Sequence, residues 1–272
     1  MDEGQLAEVS ALLSADRLAG FVALAGTERD ALDLHDATIV TASALMPVVC
    51  LIEIALRNAV SERLRTVFAS PAWLTTPPAP FVWRPTEFGK IEEAKRQAQQ
   101  DLYTKLGDAQ KRALDAVAFP HGVPLNASYK RRVKKRQSTI VVSHGQLVAQ
   151  LTMFFWKRLF SSDYEDTLWK RGLKRLFPDR SIQRSHVADH LEVIYKARNR
   201  IAHHEPIYGQ RLVRLVEAIE FIVTRLGPQD AEGKTSLAHL TGPHRARLDE
   251  VVSEGKALFD AFLLPPTGAR TP

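Results

Sequence analysis

Apolar residues recur at helical spacing along most of this chain, and this pattern constrains the fold more than any other feature. Val187, Leu191 and Ile194 stand at i, i+4 and i+7, so they share one face of a helix. A similar apolar stripe runs through 51–64. The only strand-like run, 140–142, is too short to form a sheet. The sequence therefore predicts an all-α fold.

The helical segments and the connections between them indicate a single domain. We predict one or two short helices over 5–24, a helical hairpin over 87–117 that turns near Gly107, and single helices over 29–69, 145–160, 163–176, 184–204, 209–226 and 243–263. The proline-rich residues 70–86 form a predicted connector, and 119–140 form a predicted loop that contains a basic run. The domain is expected to span 1–264 and to be followed by a disordered tail at 265–272.

Six functional side chains are concentrated in a short stretch near the end of one predicted helix. They are Arg198, Asn199, Arg200, His203, His204 and Glu205. Arg binds phosphate groups through paired hydrogen bonds, and His transfers protons near neutral pH. The stretch therefore predicts a site that binds a phosphodiester and acts on it.

Pro206 fixes where these residues lie on the helix. Because Pro disfavours helical geometry at the residue before it, the helix is expected to end at about 204. Asn199 and His203 then stand i, i+4 on one face, and Arg200 and His204 form a second such pair. A helix C-terminus favours a protonated imidazole but repels anions, so the Arg side chains have to supply the attraction for phosphate.

A metal site formed by His203, His204 and Glu205 is an alternative hypothesis for the same stretch. Adjacent helical residues point about 100° apart, and the HExxH spacing of zinc-binding helices is missing. The sequence therefore favours a site without metal or other cofactor. The alternative, a metal-dependent phosphohydrolase, predicts that activity is lost in EDTA.

The pattern Arg198-Asn199-x-x-x-His203 resembles the signature of the HEPN superfamily, helical ribonuclease domains of bacterial defence and toxin systems. The longer string that begins at Arg198, RNRIAHHEPIYG, resembles the Abi-like (abortive infection) branch of that superfamily. Three further segments resemble the same family and occur in the expected order: 53–58, 154–160 and 164–169.

The resemblance implies an all-α, HEPN-type helical bundle with additional N- and C-terminal helices, which cleaves RNA without a metal. It also implies a homodimer in which the two motifs face each other. The matching residues are Arg198 and His203 as the catalytic pair, Asn199 as the orienting residue, and Arg200, His204 and Glu205 as the Abi-like extension. Many members carry a Tyr, modified by an antitoxin, where this chain has Glu205, so the resemblance does not extend to that regulation. The sequence identifies neither a phage trigger nor an antitoxin.

The chemistry of these residues also suits RNA when the resemblance is set aside. RNA carries its own nucleophile, the 2′-OH, so an enzyme must remove that proton, stabilise the phosphorane and protonate the leaving oxygen. His203 can act as base or acid, and Arg198 can stabilise the added negative charge. The second proton carrier is either His203 of a second protomer or His204. The rival hypothesis is an RNA-binding module of the same fold that does not cleave.

An earlier segment contains a second group of polar residues, Glu53, Arg57 and Asn58. Glu53 and Arg57 stand i, i+4 in the order that favours an exposed ion pair. One interpretation is therefore an ordinary surface pair. In the other, all three residues lie beside the motif helix and orient Arg198 or His203, and the family resemblance favours this second interpretation.

The charge of the chain favours a polyanionic partner. The net charge is +6, and the sequence pI is about 9.5. Six cations fall within residues 129–136: Lys130, Arg131, Arg132, Lys134, Lys135 and Arg136. This run either contacts the phosphate backbone of RNA or is a solvated loop.

The remaining features indicate a soluble cytoplasmic protein. Cys50 is the only cysteine, which excludes a disulfide within the chain and suggests a buried structural thiol. The N-terminus lacks the basic start and apolar core of a signal peptide. The longest apolar stretch, 44–55, is interrupted by Pro47 and Glu53 and is too short to span a bilayer.

Overall fold

The computed structural model describes residues 2–263, although it leaves out the side chain of Leu263. The predicted tail at 265–272 lies outside these residues. The chain divides into two compact units. The first unit takes its described residues from Met1–Ala55, Phe177–Ser181 and Asp189–Pro272, and the second consists of Leu56–Leu176 and Ile182–Ala188.

The fold is all-α, as the sequence predicts. The described residues form twelve α-helices: α1 (Glu3–Leu13), α2 (Ala15–Ala25), α3 (Glu28–Phe68), α4 (Pro85–Thr104), α5 (Asp108–Ala113), α6 (Asp115–Ala118), α7 (Tyr129–Ser138), α8 (His144–Gln150), α9 (Met153–Arg158), α10 (Arg184–Ala202), α11 (Gly209–Arg225) and α12 (Ser236–Leu263). Within residues 2–263, the only β contact is an isolated bridge between Gln229 and Thr235. The long helices α3 and α10 contribute residues to both units, although the sequence predicts a single domain.

The first unit packs α1 against α2, α2 against α12, and α12 against α11. Leu18 and Phe21 of α2 and Leu34 of α3 are buried in one cluster. Tyr208, just before α11, packs on this cluster and stacks on Phe259 of α12, with ring centroids 5.0 Å apart. These contacts fix the segment that follows the motif to the core of the unit.

The second unit contains a buried polar network as well as an aromatic core. Glu87 of α4 has no exposed surface, and its carboxylate accepts hydrogen bonds from the Tyr164 hydroxyl at 2.7 Å and from Arg158 Nε at 2.8 Å. Burial raises the pKa of Tyr164, with Glu87 contributing to the same shift. Arg158 and Tyr164 lie in the segments 154–160 and 164–169, and in the structure both bind the buried carboxylate of Glu87.

The predicted helices over 145–160 and 163–176 are shorter in the structure. The first is split into α8 and α9, because Leu151 adopts an extended backbone and its carbonyl accepts a hydrogen bond from Trp156 Nε1 at 3.1 Å. The second is replaced by 3₁₀ turns at Ser162–Tyr164 and Leu173–Leu176 and one π-helical turn at Glu165–Trp169. Apolar spacing alone did not reveal these breaks, since buried side chains continue through them.

The predicted loop at 119–140 is wrong over its second half, because the basic run forms α7. The Ser128 hydroxyl caps the helix by accepting from the backbone N–H of Arg131. Arg132 and Arg136, one turn apart, both donate to the carboxylate of Asp115, and the Arg136 Nη2 bond measures 2.6 Å. A shared acid therefore offsets the repulsion that would keep a basic run unfolded.

The two arginines, Arg136 first and then Arg132, hold the pKa of Asp115 far below its ordinary value. A carboxylate whose pKa is lowered on folding adds stability above its unfolded pKa, and this stability is lost as the pH falls toward the folded value. We therefore expect Asp115→Asn to lower the free energy of unfolding at pH 7, with a difference from wild type that shrinks below the ordinary value of 3.8.

Urea denaturation at several pH values, followed by tryptophan fluorescence, measures this difference. Asp249→Asn, which changes an exposed aspartate on α12, serves as the control and should show no such pH dependence. A difference for Asp115→Asn that stays constant down to pH 2 contradicts the assignment.

Helix α3 differs from the sequence predictions in two respects. Cys50 is exposed rather than buried, because it lies on the side of α3 away from Val48, Val49 and Ile52. The helix continues through Pro47, in agreement with the prediction over 29–69, but within the described residues it is the one helix long and apolar enough to cross a membrane, whereas the sequence predicts that 44–55 is too short to do so. About a third of its apolar window is buried inside the protein, and core helices of soluble proteins meet the same criterion.

Candidate functional site

The motif lies at the C-terminal end of α10, in the first unit. Helix α10 ends at Ala202, two residues before the predicted end. The N–H of Glu205 donates to the carbonyl of Arg200 at 2.8 Å, and the N–H of His204 donates to the carbonyl of Ile201 at 3.0 Å. These two bonds define a Schellman motif, which closes a helix through one residue in the left-handed conformation.

His204 is that left-handed residue, with φ of 56°. This position usually holds Gly, because any Cβ is strained there. His203 remains on the helical path, since its N–H donates to the carbonyl of Asn199 at 3.0 Å. The backbone relation predicted for Asn199 and His203 is therefore present, but His204 leaves the helix and the predicted pairing of Arg200 with His204 is wrong.

Arg200 and Glu205 instead form an ion pair, with Nη1 and Oε2 3.0 Å apart. They occupy the two Schellman positions at which an apolar contact is common. From α2, Arg17 Nη1 donates to the carbonyl of His204 at 2.6 Å. Three residues that were predicted to support the site therefore shape this turn instead: Arg200, His204 and Glu205.

Arg198 is held by an acid on another helix. Its Nε lies 3.7 Å from Oε2 of Glu53 on α3, and both residues belong to the first unit. The Arg198 side chain is 40% exposed and that of Glu53 is 17% exposed. The contact favours the interpretation in which Glu53 orients Arg198, and the Arg198 side chain stays partly exposed.

His203 is exposed and Asn199 is half-buried. Within residues 2–263, no hydrogen bond or ion pair occupies either side chain. A proton carrier has to reach substrate, so exposure of His203 is compatible with its predicted role. Arg198 and His203 are thus both accessible at one helix end, whereas Arg200 is engaged with Glu205.

The metal hypothesis gains no geometric support. Within residues 2–263, no three His, Cys, Asp or Glu side chains are grouped closely enough to hold a metal ion. Of the three proposed ligands, Glu205 already binds Arg200, and His203 and His204 have different backbone conformations at the helix end. The helix end carries two arginines, Arg198 and Arg200, and two exposed imidazoles, those of His203 and His204.

A cleft of about 760 Å³ opens beside the motif turn in the first unit. Its walls come from the ends of α1 and α2, from the first half of α3, and from the turn at His204 and Glu205. His35 lies in this cleft with 5% of its surface exposed, and its ring packs edge-on against Phe21. Burial, followed by the charge of Arg17, lowers the pKa of His35 and favours the neutral imidazole at pH 7.

Arg17 and His35 were not predicted from the sequence as site residues. Neither residue stands in a motif, and Arg17 is separated from His204 by 187 positions. Only the packing of α2 beside the motif turn brings them to the site. No local signal in the sequence could have indicated this.

The other predicted site residues belong to the second unit. Asn58 is exposed on α3, and Arg57 is half-buried, with its Nε lacking a hydrogen-bond partner among the described residues. Their role beside the motif stays a prediction. Of the six cations on α7, Arg132 and Arg136 bind Asp115. The four exposed cations are Lys130, Arg131, Lys134 and Lys135.

Comparison of the chain with protein-family models, with curated proteins and with solved structures gives no match. The residues and geometry described above are therefore the basis for a functional assignment.

Proposed function

We propose that this protein is a metal-independent endoribonuclease that cleaves RNA by attack of the 2′-OH on the adjacent phosphate. The observation that supports this most directly is the helix end of α10. There His203 is exposed, and the Arg198 side chain is partly exposed and forms a long ion pair with Glu53. This pairing of a proton carrier with an anion-binding group is what the reaction requires.

In the proposed reaction, an imidazole removes the 2′-OH proton as the oxygen attacks phosphorus. The Arg198 guanidinium binds the non-bridging oxygens, on which negative charge increases in the phosphorane. A protonated imidazole then gives its proton to the departing 5′-oxygen. The products are a 2′,3′-cyclic phosphate and a free 5′-hydroxyl, so atoms and protons balance without a co-reactant.

Incubation of the purified protein with mixed cellular RNA in EDTA tests this proposal. We expect cleavage that leaves 2′,3′-cyclic phosphate ends, identified because the 3′ end can be ligated only after dilute acid has opened the cyclic diester and a phosphatase has then removed the phosphate, and not after the phosphatase alone. DNA of the same sequence should not be cut, since it lacks the nucleophile. Cleavage only when a divalent metal is added would support the metal-dependent alternative.

The rival proposal is an RNA-binding module without cleavage. The observation that favours it is α7. This ten-residue helix carries four exposed cations and contains no acidic residue. Binding through phosphates needs no reaction chemistry. Binding of RNA without cleavage, both by the free protein and in phage-infected extract, would support the RNA-binding module over the ribonuclease.

The exposed cations of α7 are expected to set the salt dependence of RNA binding. Substitution of Lys130, Arg131, Lys134 and Lys135 by alanine keeps helix propensity and removes four positive charges. For single strands, each lost phosphate contact lowers the slope of log K against log salt by about 0.7. We therefore expect a slope reduced by up to about 3, with kcat for cleavage unchanged.

Fluorescence anisotropy of a labelled RNA at several salt concentrations measures this slope. Lys174→Ala/Arg175→Ala, which removes two exposed cations elsewhere in the second unit, serves as the control for net charge. If this control lowers the slope as much per residue as the α7 variant does, then α7 is a solvated helix and not an RNA-binding surface.

We propose a homodimer in which each cleavage event uses both motifs. One imidazole per protomer cannot be both proton donor and proton acceptor in one step, and the second protomer supplies another. When wild type is co-expressed with increasing His203→Ala, activity should fall with the square of the wild-type fraction, to about one quarter at equal amounts. A linear fall to one half indicates independent sites, with His204 as the second proton carrier.

The biological setting is proposed on the family resemblance alone. We propose a cytoplasmic enzyme of a bacterial phage-defence (abortive infection) or toxin system that acts away from membranes. Its activity would then depend on a phage trigger or on an antitoxin. A plaque assay with wild type and His203→Ala tests this setting, and equal plaque numbers contradict it.

A further inference from the structure

The cleft beside the motif turn has two kinds of surface. Leu12, Ile39 and Met46 provide apolar walls, and the first two are exposed side chains. Its volume, about 760 Å³, falls in the range of small-molecule sites, roughly 300–1,000 Å³. Exposed apolar side chains beside a charged group suit a ligand with apolar faces and a polar edge.

Hydrogen-bonding groups in the cleft match such an edge. Pro47 has no N–H, so the carbonyl of Ser43 lacks its helical hydrogen bond and can accept one from a ligand. Ser43 also places an exposed hydroxyl on the cleft. His35 adds a neutral imidazole that is nearly buried. A nucleobase has two apolar faces and an edge of donors and acceptors, and is usually held between apolar groups.

Arg17 supplies a positive charge at the same cleft. One of its N–H groups donates to the carbonyl of His204, and the rest of the guanidinium has no hydrogen-bond partner among residues 2–263. The other charged residue on the cleft, Glu205, is neutralised by Arg200. Because Arg200 offsets Glu205, Arg17 leaves one positive charge at the cleft without an ion-pair partner among the described residues, and this charge can attract an anionic ligand such as a nucleotide.

We infer that this cleft binds one nucleotide of the RNA substrate, the one next to the cleaved phosphate, with its base between the apolar walls and its phosphate on Arg17. The inference rests on the proposed function, since it concerns the same motif turn. In this arrangement Arg17 binds the phosphate of the nucleotide, and Ser43 binds the edge of its base. Base preference in cleavage would then arise in the first unit, beside His204.

The test uses 2′-O-methyl hexanucleotides, which cannot be cleaved, either intact or with an abasic residue at each position in turn. Fluorescence anisotropy gives Kd for each oligonucleotide. Since stacking of one base contributes a large share of affinity, we expect one abasic position to weaken binding by about five- to a hundredfold. Equal Kd values for intact and abasic oligonucleotides would overturn the inference.

Ser43→Trp fills the cleft from an exposed position of α3, and Ile39→Trp does so from another. Each should bind intact and abasic oligonucleotides with the same Kd. Val40→Trp adds the same side chain at an exposed position of α3 that does not border the cleft, so it should keep the wild-type difference. If both cleft variants unfold at the wild-type temperature and still show the wild-type difference in Kd between intact and abasic oligonucleotides, the inference is also overturned.

Arg17→Gln separates the phosphate contact from the base contact. Gln removes the charge while keeping a polar side chain on α2, so affinity should fall by the same factor for intact and abasic oligonucleotides. The slope of log K against log salt should decrease by about 0.7. An unchanged slope contradicts the phosphate contact assigned to Arg17.

Parallel cleavage of ordinary RNA in EDTA distinguishes failure of this inference from failure of the proposed function. Base-dependent binding without cleavage, both by the free protein and in phage-infected extract, supports the nucleotide site and contradicts the ribonuclease. Cleavage without any abasic effect supports the ribonuclease and contradicts the nucleotide site.

Discussion

Replacing His203 with alanine is expected to reduce RNA cleavage by about 10²- to 10⁴-fold, the usual contribution of a general acid or base. The side chain is exposed, so its removal should change the free energy of unfolding by less than about 0.5 kcal/mol. RNA affinity should also remain within a few-fold, because phosphate contacts come from the cations. Single-turnover cleavage and anisotropy with the same RNA measure the two effects.

His244→Ala is the matched control, since His244 is exposed on α12 in the same unit. It should cleave at the wild-type rate. If His203→Ala also cleaves at that rate, the catalytic assignment is wrong. If cleavage is never observed but binding is, the protein is the RNA-binding module.

His204→Gly then determines whether the neighbouring imidazole takes part. Gly suits φ of 56° better than any other residue, so this variant should keep the Schellman turn and unfold at a slightly higher temperature. Wild-type cleavage by His204→Gly indicates that His204 only shapes the turn. A loss comparable to that of His203→Ala indicates that one protomer carries both proton-transfer groups.

The all-α fold and the main helices were predictable because their signals are local. Apolar spacing gave α10 to within two residues of its end, and Pro206 indicated where it stops. The left-handed conformation of His204 was not predictable, since Gly normally occupies that position. A pattern of residue types does not contain the hydrogen bonds that form a Schellman motif.

Contacts between distant residues explain the other differences. The basic run looked like a loop because its partner acid, Asp115, lies outside it, on α6. Arg17 reaches the motif turn only through packing of α2. The contact of Glu53 with Arg198 was suggested by the family resemblance and not by spacing, which favours Arg57 as the partner. Helix periodicity identifies elements, but it does not identify which charged groups meet.

Arg198→Lys is expected to lower kcat by about 10²- to 10³-fold, although the charge is kept. A guanidinium binds two phosphate oxygens at once through a planar fork, whereas an ammonium group acts as a point charge. The loss should fall on kcat more than on KM, because the added negative charge exists only in the transition state. A variant with wild-type kcat shows that only charge is needed, or that Arg198 does not contact the phosphorane.

Glu53→Gln tests whether the acid acts through Arg198. The ion pair is partly exposed and spans 3.7 Å, so it should add only about 0–1 kcal/mol to the free energy of unfolding. Its larger effect is expected on orientation, because a displaced guanidinium fits the transition state poorly. We expect kcat to fall by about ten- to a hundredfold.

The double variant Arg198→Lys/Glu53→Gln gives the coupling between the two residues. If Glu53 serves only to orient the guanidinium, then its loss costs nothing once Arg198 has been replaced, and the double variant should be as slow as Arg198→Lys alone. Additive losses would show that Glu53 acts on substrate or on another residue, and the positioning role would be withdrawn. This cycle therefore tests the contact between Glu53 on α3 and Arg198 near the end of α10.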